Sequence, residues 1–183
     1  MRNLVVTENI TLDGVIDAAG GWFTPLGDVD TDDLAAANRE HMATADAALL
    51  GRVTYEEFSR YWPKQTDDTS GVSDYLNRTS KYVVSSSLDK PEWQNTTILR
   101  GPLADDVVAL KRQPGKDIVA TGSVTLVRSL ADTGLIDAYR LFVYPVVLGR
   151  GRRLFPDGIG ADLRLTGTKA FRSGVVLLSY RRA

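Results

Sequence analysis

The chain has 183 residues, of which 43% are hydrophobic and 25% charged, with a net charge of −1. That length suits one domain, residues 1–183, around a sizeable core. The balanced charge argues against nucleic acid as a partner, since phosphate-backbone binders carry a strong basic excess. Cysteine is absent and His41 is the only histidine. Disulfides, thiolate nucleophiles and zinc sites built on several Cys or His ligands are therefore excluded, and no metal site is expected. The start turns polar at Thr7-Glu8-Asn9, and no apolar run approaches membrane-spanning length, so a cytoplasmic protein without a membrane partner is expected.

In chain order, Leu4 to Val6 reads as a buried first strand running into a loop from Leu12 to Trp22. A helix is predicted from Asp33 to about Ala45, with an Asp- and Thr-rich start. A short apolar strand follows at Ala47 to Leu50, closed by Gly51-Arg52-Val53. Thr54 and Glu57 form a capping-box pattern ahead of Phe58 and Tyr61, and Pro63 bounds that helix. Tyr82 to Val84 and Thr96 to Leu99 read as strands, and Leu103 to Arg112 as a helix. Ile118 to Ala120 is a strand that turns through Thr121-Gly122-Ser123 into a helix with Val124, Val127 and Leu130 inward. Ala138 to Leu148 reads as a long strand, and Leu163 to Thr168 and Val175 to Tyr180 as an antiparallel hairpin. Alternation of strands and helices followed by a hairpin gives an α/β fold, a mostly parallel sheet with an antiparallel edge.

Ligands of such sheets bind beyond the carboxyl ends of the strands. One end offers Gly51-Arg52-Val53-Thr54 before a helix, a second Ser85-Ser86, and a third Thr121-Gly122-Ser123-Val124 before a helix. Two helix N-termini, an arginine and several hydroxyls suit a ligand with more than one phosphate. A dinucleotide fits, and the absence of a carboxylate beside Arg52, Ser85 and Ser86 favours NADPH over NADH. Taken singly, Arg52 could be a surface ion-pairing residue and Ser85 to Ser87 an ordinary turn. No GxxxxGK[ST] loop and no GxGxxG fingerprint competes. The cluster Arg150, Arg152, Arg153 reads as a solvated loop in preference to an anion site.

Five blocks occur in order: Leu12-Asp13-Gly14-Val15-Ile16; Leu49 to Glu56, which holds Gly51-Arg52-Val53-Thr54; Val83-Val84-Ser85-Ser86; Thr121-Gly122-Ser123; and Pro145 to Gly151. Together they resemble the dihydrofolate-reductase-like proteins related to the C-terminal reductase domain of bifunctional riboflavin-biosynthesis enzymes. The resemblance implies a central eight-stranded, mostly parallel sheet with helices on both faces, NADPH as hydride donor, and a homodimer. It also implies that Gly51, Arg52, Val53 and Thr54 meet the adenosine ribose phosphate and pyrophosphate. Ser85 and Ser86 would lie near the 2′-phosphate, and Thr121, Gly122, Ser123, Val124 and Thr125 around the pyrophosphate. Gly14, Val15 and Ile16 would lie beside the nicotinamide. Folate reductases hold the pterin with a carboxylate on the first helix. Here Ala35 falls near that position, with Asp33 close, which points away from folate.

Three side chains are candidates for the reacting end: Asp13 in the loop that meets the nicotinamide, Trp22 as a cover over a planar substrate, and Tyr144 on the long strand. Each also has a structural reading, as a turn former for Asp13 and as packing for Trp22 and Tyr144. His41 is expected half-buried or at the surface of its helix, Gly149 and Gly151 as turn glycines, and Phe155 in packing. The expected activity is an NADPH-dependent reduction of a small heterocyclic or carbonyl substrate. The alternatives are a catalytically silent NADP(H)-binding module and a dimeric scaffold.

Overall fold

The computed structural model describes residues 1–18, 20–23, 29–155 and 160–183. Ala19, within the loop predicted from Leu12 to Trp22, lies outside them. The elements are β1 (Leu4–Thr11), α1 (Asp32–Ala43), β2 (Ala45–Gly51), α2 (Arg52–Tyr61), α3 (Val72–Arg78), β3 (Ser80–Val84), β4 (Thr96–Leu99), α4 (Leu103–Arg112), β5 (Asp117–Ala120), α5 (Val124–Thr133), β6 (Ala138–Tyr144), β7 (Leu163–Ala170) and β8 (Val176–Arg182). A single-turn 3-10 segment at Trp62–Lys64 follows α2. The strands form one sheet in the order β4-β3-β2-β5-β1-β6-β8-β7. The first six in that order pair in parallel, whereas β8 runs antiparallel to both β6 and β7. This is the expected α/β sheet.

The strand order contains one reversal that matters for function. After β2 the chain turns to β3 on one side, and after β5 it crosses over β1 to β6 on the other. Crossovers in opposite directions send the following helices to opposite faces, because parallel crossovers are right-handed. The core divides accordingly. Val107 and Leu110 of α4 and Val124, Leu126, Val127 and Leu130 of α5 pack on one face with Leu4, Val6 and Ile118. Tyr55 and Phe58 of α2 and Tyr75 and Leu76 of α3 pack on the other with Ala48, Leu50 and Val83. A third cluster joins Leu34 and Ala37 of α1 to Phe142, Tyr144, Phe171 and Leu177 under the hairpin end.

Several elements differ from the sequence expectation. β1 runs five residues past Val6 to Thr11, because β6 continues to pair with it through Thr11↔Tyr144 after β5 has ended at Val6↔Ala120. β6 stops at Tyr144 rather than Leu148, where Pro145 has no N–H to give the ladder. α2 starts at Arg52 with extended Gly51 as its N-cap and without a side-chain cap. Thr54 is thus inside the helix and buried, so the predicted capping box does not form. α3 lacks a readable pattern because it is one short amphipathic piece, held by Asp68 accepting Ser73 N–H at 2.8 Å. Its carbonyl end is capped by buried Lys81, whose Nζ donates to Leu76 O and Thr79 O, each at 2.7 Å.

Candidate functional site

The reversal between β2 and β5 brings the N-termini of α2 and α5 together. Gly51 N–H donates to Ser123 Oγ at 2.8 Å. A Cβ on Gly51 would meet that Oγ at 3.2 Å, and a Cβ on Gly122 would meet Thr54 Cγ2 at 3.1 Å. Gly122 also has φ +69°, a left-handed conformation that glycine adopts without penalty. The first-turn amides of both helices lie side by side, and such amides have no partner within their own helix. Val53 on α2 is 57% exposed and Thr125 on α5 is also exposed, so these turns open to solvent. The donor set fits phosphate oxygens: two converging helix dipoles, the Thr125 hydroxyl and a nearby guanidinium.

Not every donor is available. Ser123 N–H bends back to Thr121 O at 2.8 Å and Val124 N–H to Gly122 O at 3.1 Å. Gly122 N–H donates inward to Glu8, at 2.8 Å to Oε1 and 3.0 Å to Oε2. Arg52 is 42% exposed at its side chain, and its Nη1 donates to both carboxyl oxygens of Glu56 at 2.9 and 3.0 Å. An exposed pair of this kind contributes little, so it yields readily to a phosphate.

On the next strand out, Ser85 is buried and its Oγ accepts Ser87 N–H at 3.2 Å and Leu88 N–H at 2.9 Å. Ser86 is exposed. Arg100, just beyond β4, reaches across to Ser86 O at 2.9 Å and Leu88 O at 2.6 Å. It adds a second cation beside the serine turn. Sequence reasoning missed it because β4 and β3 become neighbours only in the sheet.

Asp13, Gly14, Val15 and Ile16 follow β1. Gly14 has φ +83°. Val15 and Ile16 are buried, with Val15 N–H on Thr11 Oγ1 and Ile16 N–H on Arg152 O. Asp13 accepts from the Thr11 hydroxyl at 2.6 Å, from Leu148 N–H at 3.2 Å and from Gly149 N–H at 2.8 Å. These bonds, the Thr11 hydroxyl foremost, hold its carboxyl down to about 2. At neutral pH Asp13 is an ionised clamp between the loops after β1 and β6, with no proton to give.

Trp22 and Tyr144 do come together, edge to face with ring centroids 5.5 Å apart. Trp22 Nε1–H donates to Asp17 O at 2.7 Å. Tyr144 is buried, and that burial raises its hydroxyl pKa. Trp22 lines a cavity of about 450 Å³ together with Val15, Asp17, Leu148, Arg150 and Gly151. The three loop arginines are all exposed, as a solvated loop requires, and each also has its own local contact. Arg152 pairs with Asp17 at 3.1 Å, Arg153 Nε donates to Asp13 O at 3.0 Å, and Arg150 lines the cavity.

The extension of β1 carries two residues the sequence did not single out. Asn9 is exposed although it lies on an inner strand, because β5 has already ended beside it. It sits opposite Phe142 on the α1 face, where the Thr7 hydroxyl is buried without a hydrogen-bonding partner among the described residues. Glu8 points the other way, alternating with Val6 and Ile10 on the α5 face. It is 4% exposed, and burial pushes its carboxyl up to about 8 against the lowering effect of the Gly122 N–H. Alternation along the strand is the signal that could have found both, had β1 been read to its full length.

Asp33 is committed elsewhere, accepting Arg172 N–H at 3.0 Å and Leu34 N–H at 2.8 Å. His41 is half-buried, and burial lowers its pKa. Phe155 packs on Tyr139 with centroids 5.6 Å apart. No helix among the described residues is long and apolar enough to cross a membrane.

Residues 2–177 match the RibD C-terminal domain family. The chain is 31% identical to Bacillus subtilis YyaP, a protein of uncharacterized function, over 98% of this chain and 94% of that one. Its fold is similar to that of a Shewanella sp. PV-4 protein provisionally assigned to riboflavin biosynthesis, with a TM-score of 0.73, 20% identity and 99% of each chain covered. It also matches the diaminohydroxyphosphoribosylaminopyrimidine deaminase/5-amino-6-(5-phosphoribosylamino)uracil reductase of Thermotoga maritima, with a TM-score of 0.66 and 15% identity. That match covers all of this chain and 57% of the bifunctional protein.

Two outcomes follow from this geometry. Gly122→Ala should destabilise the fold by about 1–2 kcal/mol, the penalty of a left-handed non-glycine residue, measured by urea unfolding. Glu8 holds its proton to higher pH when folded than when unfolded, so the native state binds more protons between about pH 4.5 and 8. Stability should fall as pH rises through that window, by at most about 1.4 kcal/mol per pH unit. Melting temperatures from pH 5 to 8 should show this slope in the wild type and lose it in Glu8→Gln.

Proposed function

The chain belongs to the RibD C-terminal domain family, and from that premise we propose that it is an NADPH-dependent reductase of a small heterocyclic or carbonyl substrate. The uracil reductase activity in the Thermotoga maritima relative's name supports this reaction class, and a pterin- or aminopyrimidine-like ring is the preferred substrate type. The observation that carries the proposal is the junction of α2 and α5, where Gly51 N–H meets Ser123 Oγ and both first turns open to solvent. The pyrophosphate takes the amides of Val53, Thr54 and Thr125, while Gly122 supplies the close approach of the two helices. Arg52, released from Glu56, surrounds the 2′-phosphate with Ser86 and Arg100, and two guanidiniums with a hydroxyl favour NADPH over NADH.

When bound, the dinucleotide supplies a hydride to an electrophilic carbon of the substrate. The chain's own work is positional. Asp13 fixes the loops after β1 and β6, which carry Gly14 and Leu148. Trp22 walls the cavity, excludes water and offers a flat face to a ring. Arg150 gives the cavity a positive charge that suits an anionic substituent. The proton that accompanies reduction comes from water, since Asp13 is ionised. That same ionised state favours keeping a second reading, an NADP(H)-binding module that has lost catalysis.

A fluorescence titration should show NADPH binding more tightly than NADH. Arg52→Ala should weaken NADPH at least tenfold, the scale of one charge-assisted contact, and leave NADH unchanged. Equal affinities for the two dinucleotides would remove the charge argument. Absorbance assays at the nicotinamide band with pterins, aminopyrimidines and carbonyl compounds then separate the readings, because a silent module binds NADPH but oxidises none of it.

A cytoplasmic homodimer completes the proposal. β7 is an edge strand, exposed almost along its whole length and with Leu165 50% exposed, and such edges are normally covered. Light scattering should give twice the monomer mass, and Leu165→Lys should return the monomer.

A further inference from the structure

The buried carboxyl of Glu8 has no place in the cofactor contacts proposed above, yet it lies directly beneath them. β1 passes β5 at Val6↔Ala120, so two residues further on Glu8 sits level with Gly122, and its two oxygens take the Gly122 N–H at 2.8 and 3.0 Å. An acid in the floor of an anion seat presents a conflict. As a carboxylate it repels a pyrophosphate across a water-poor gap, where charge interactions are strong. As a neutral acid it still accepts the Gly122 N–H through its carbonyl oxygen and presents no charge.

The surroundings leave the conflict to the proton. Arg128 on α5 reaches away to Arg153 O at 2.8 Å. The β5–α5 turn carries only the hydroxyls of Thr121, Ser123 and Thr125. On β6, Tyr139 shares the face of Glu8 and stays neutral, its hydroxyl pKa raised by burial. Arg140 lies on the opposite face, 3.5 Å from Asp117. Asp13, at the start of the loop after β1, is held by Thr11, Leu148 and Gly149. Burial and the Gly122 amide are the two influences on Glu8 itself, and burial dominates.

We propose that Glu8 is a positioning residue of the cofactor seat, holding the Gly122 turn through its carboxyl oxygens, and that binding of a dinucleotide is coupled to uptake of one proton at Glu8. The inference rests on the reductase reading of the site. At pH 7 Glu8 is already mostly protonated and the seat is ready. Above about pH 8 the proton must be supplied as the diphosphate arrives, and affinity falls by up to about tenfold per pH unit. Glu8 touches neither substrate nor reacting atoms. It acts through the Gly122 turn.

The test is calorimetric titration of the intact protein with NADPH at pH 9, in two buffers of different ionisation enthalpy. At this pH the cofactor's own 2′-phosphate is fully ionised and contributes no proton. The wild type should take up close to one proton, and its Kd should weaken about fivefold between pH 8 and pH 9. Glu8→Gln keeps the acceptor for Gly122 and the side-chain volume. It should take up no proton and show a nearly flat Kd over the same range. Equal proton uptake in both proteins overturns the role of Glu8 while leaving the reductase reading intact. Failure of the wild type to bind NADPH at any pH overturns both. If Glu8→Gln does not fold, the ¹³C carboxyl resonance of Glu8 in the wild type decides. Its titration midpoint should move to higher pH on saturation with NADPH, and an unmoved midpoint overturns the proposal.

Discussion

The contact between the N-termini of α2 and α5 is the constraint on which the rest of the site depends. It exists because the strand order reverses between β2 and β5, which sends one helix to each face while leaving their first turns in touch. The contact tolerates only small groups at its centre. Gly51 lies against Ser123 and Gly122 against Thr54, so closely that an added Cβ would come within 3.2 and 3.1 Å of them. A larger residue at either glycine would push the helices apart and turn their free amides away from a common point. Burial of Thr54, which removes it from a capping role, is part of the same packing.

Bringing two positive helix ends together concentrates partial charge, and the free protein balances it locally. Arg52 is turned along its own helix to Glu56, Gly51 N–H is satisfied by Ser123, and Gly122 N–H by Glu8. Of the ionisable groups among these, Glu8 is the buried one, so it carries the large electrostatic consequence. The exposed Arg52–Glu56 pair exchanges partners at little cost, because solvent screens both states. A buried acid has no solvent to fall back on. It must be neutral or be answered by an opposite charge, and among the described residues no cation acts on it. Its protonation state therefore belongs to the site as much as the geometry does.

Sequence legibility followed the range of the interactions involved. Thr96 to Leu99 and Leu103 to Arg112 were readable to the residue, since apolar spacing and Gly-Pro or Pro-Gly breaks act locally. The phosphate turns were readable for the same reason: Gly51-Arg52 and Thr121-Gly122-Ser123 are local chemistry at strand ends. The length of β1 was not. Thr7-Glu8-Asn9 has a polar sequence, and it is a strand only because β6 pairs with it more than 130 residues later. Arg100 was hidden for the same reason, and Arg150 was read with its neighbours as part of a solvated loop, because the value of both comes from neighbours supplied by distant segments. α3 was missed because seven residues carry too little periodicity to stand out against turns.

The reacting end obeys a different logic from the phosphate end. Around the cavity, polar groups are spent on one another: Asp13 on the loop after β6, Asp17 on Arg152, Arg153 on the Asp13 carbonyl, Trp22 on the Asp17 carbonyl. These bonds tie the loop after β1 to the loop after β6, so the walls of the cavity hold their spacing. Hydride transfer needs such fixity more than it needs an acid, because its rate depends on how closely donor and acceptor carbons are held and on exclusion of water. Among the described residues, what remains unspent at this end is the Arg150 charge, the Asn9 amide and the Thr7 hydroxyl. Asn9 and Thr7 share the α1 face of β1 with the Trp22–Tyr144 pair, opposite to Glu8. The strand thus separates two tasks by alternation alone, with the residue beneath the cofactor seat on one side and the groups that can meet a ring on the other.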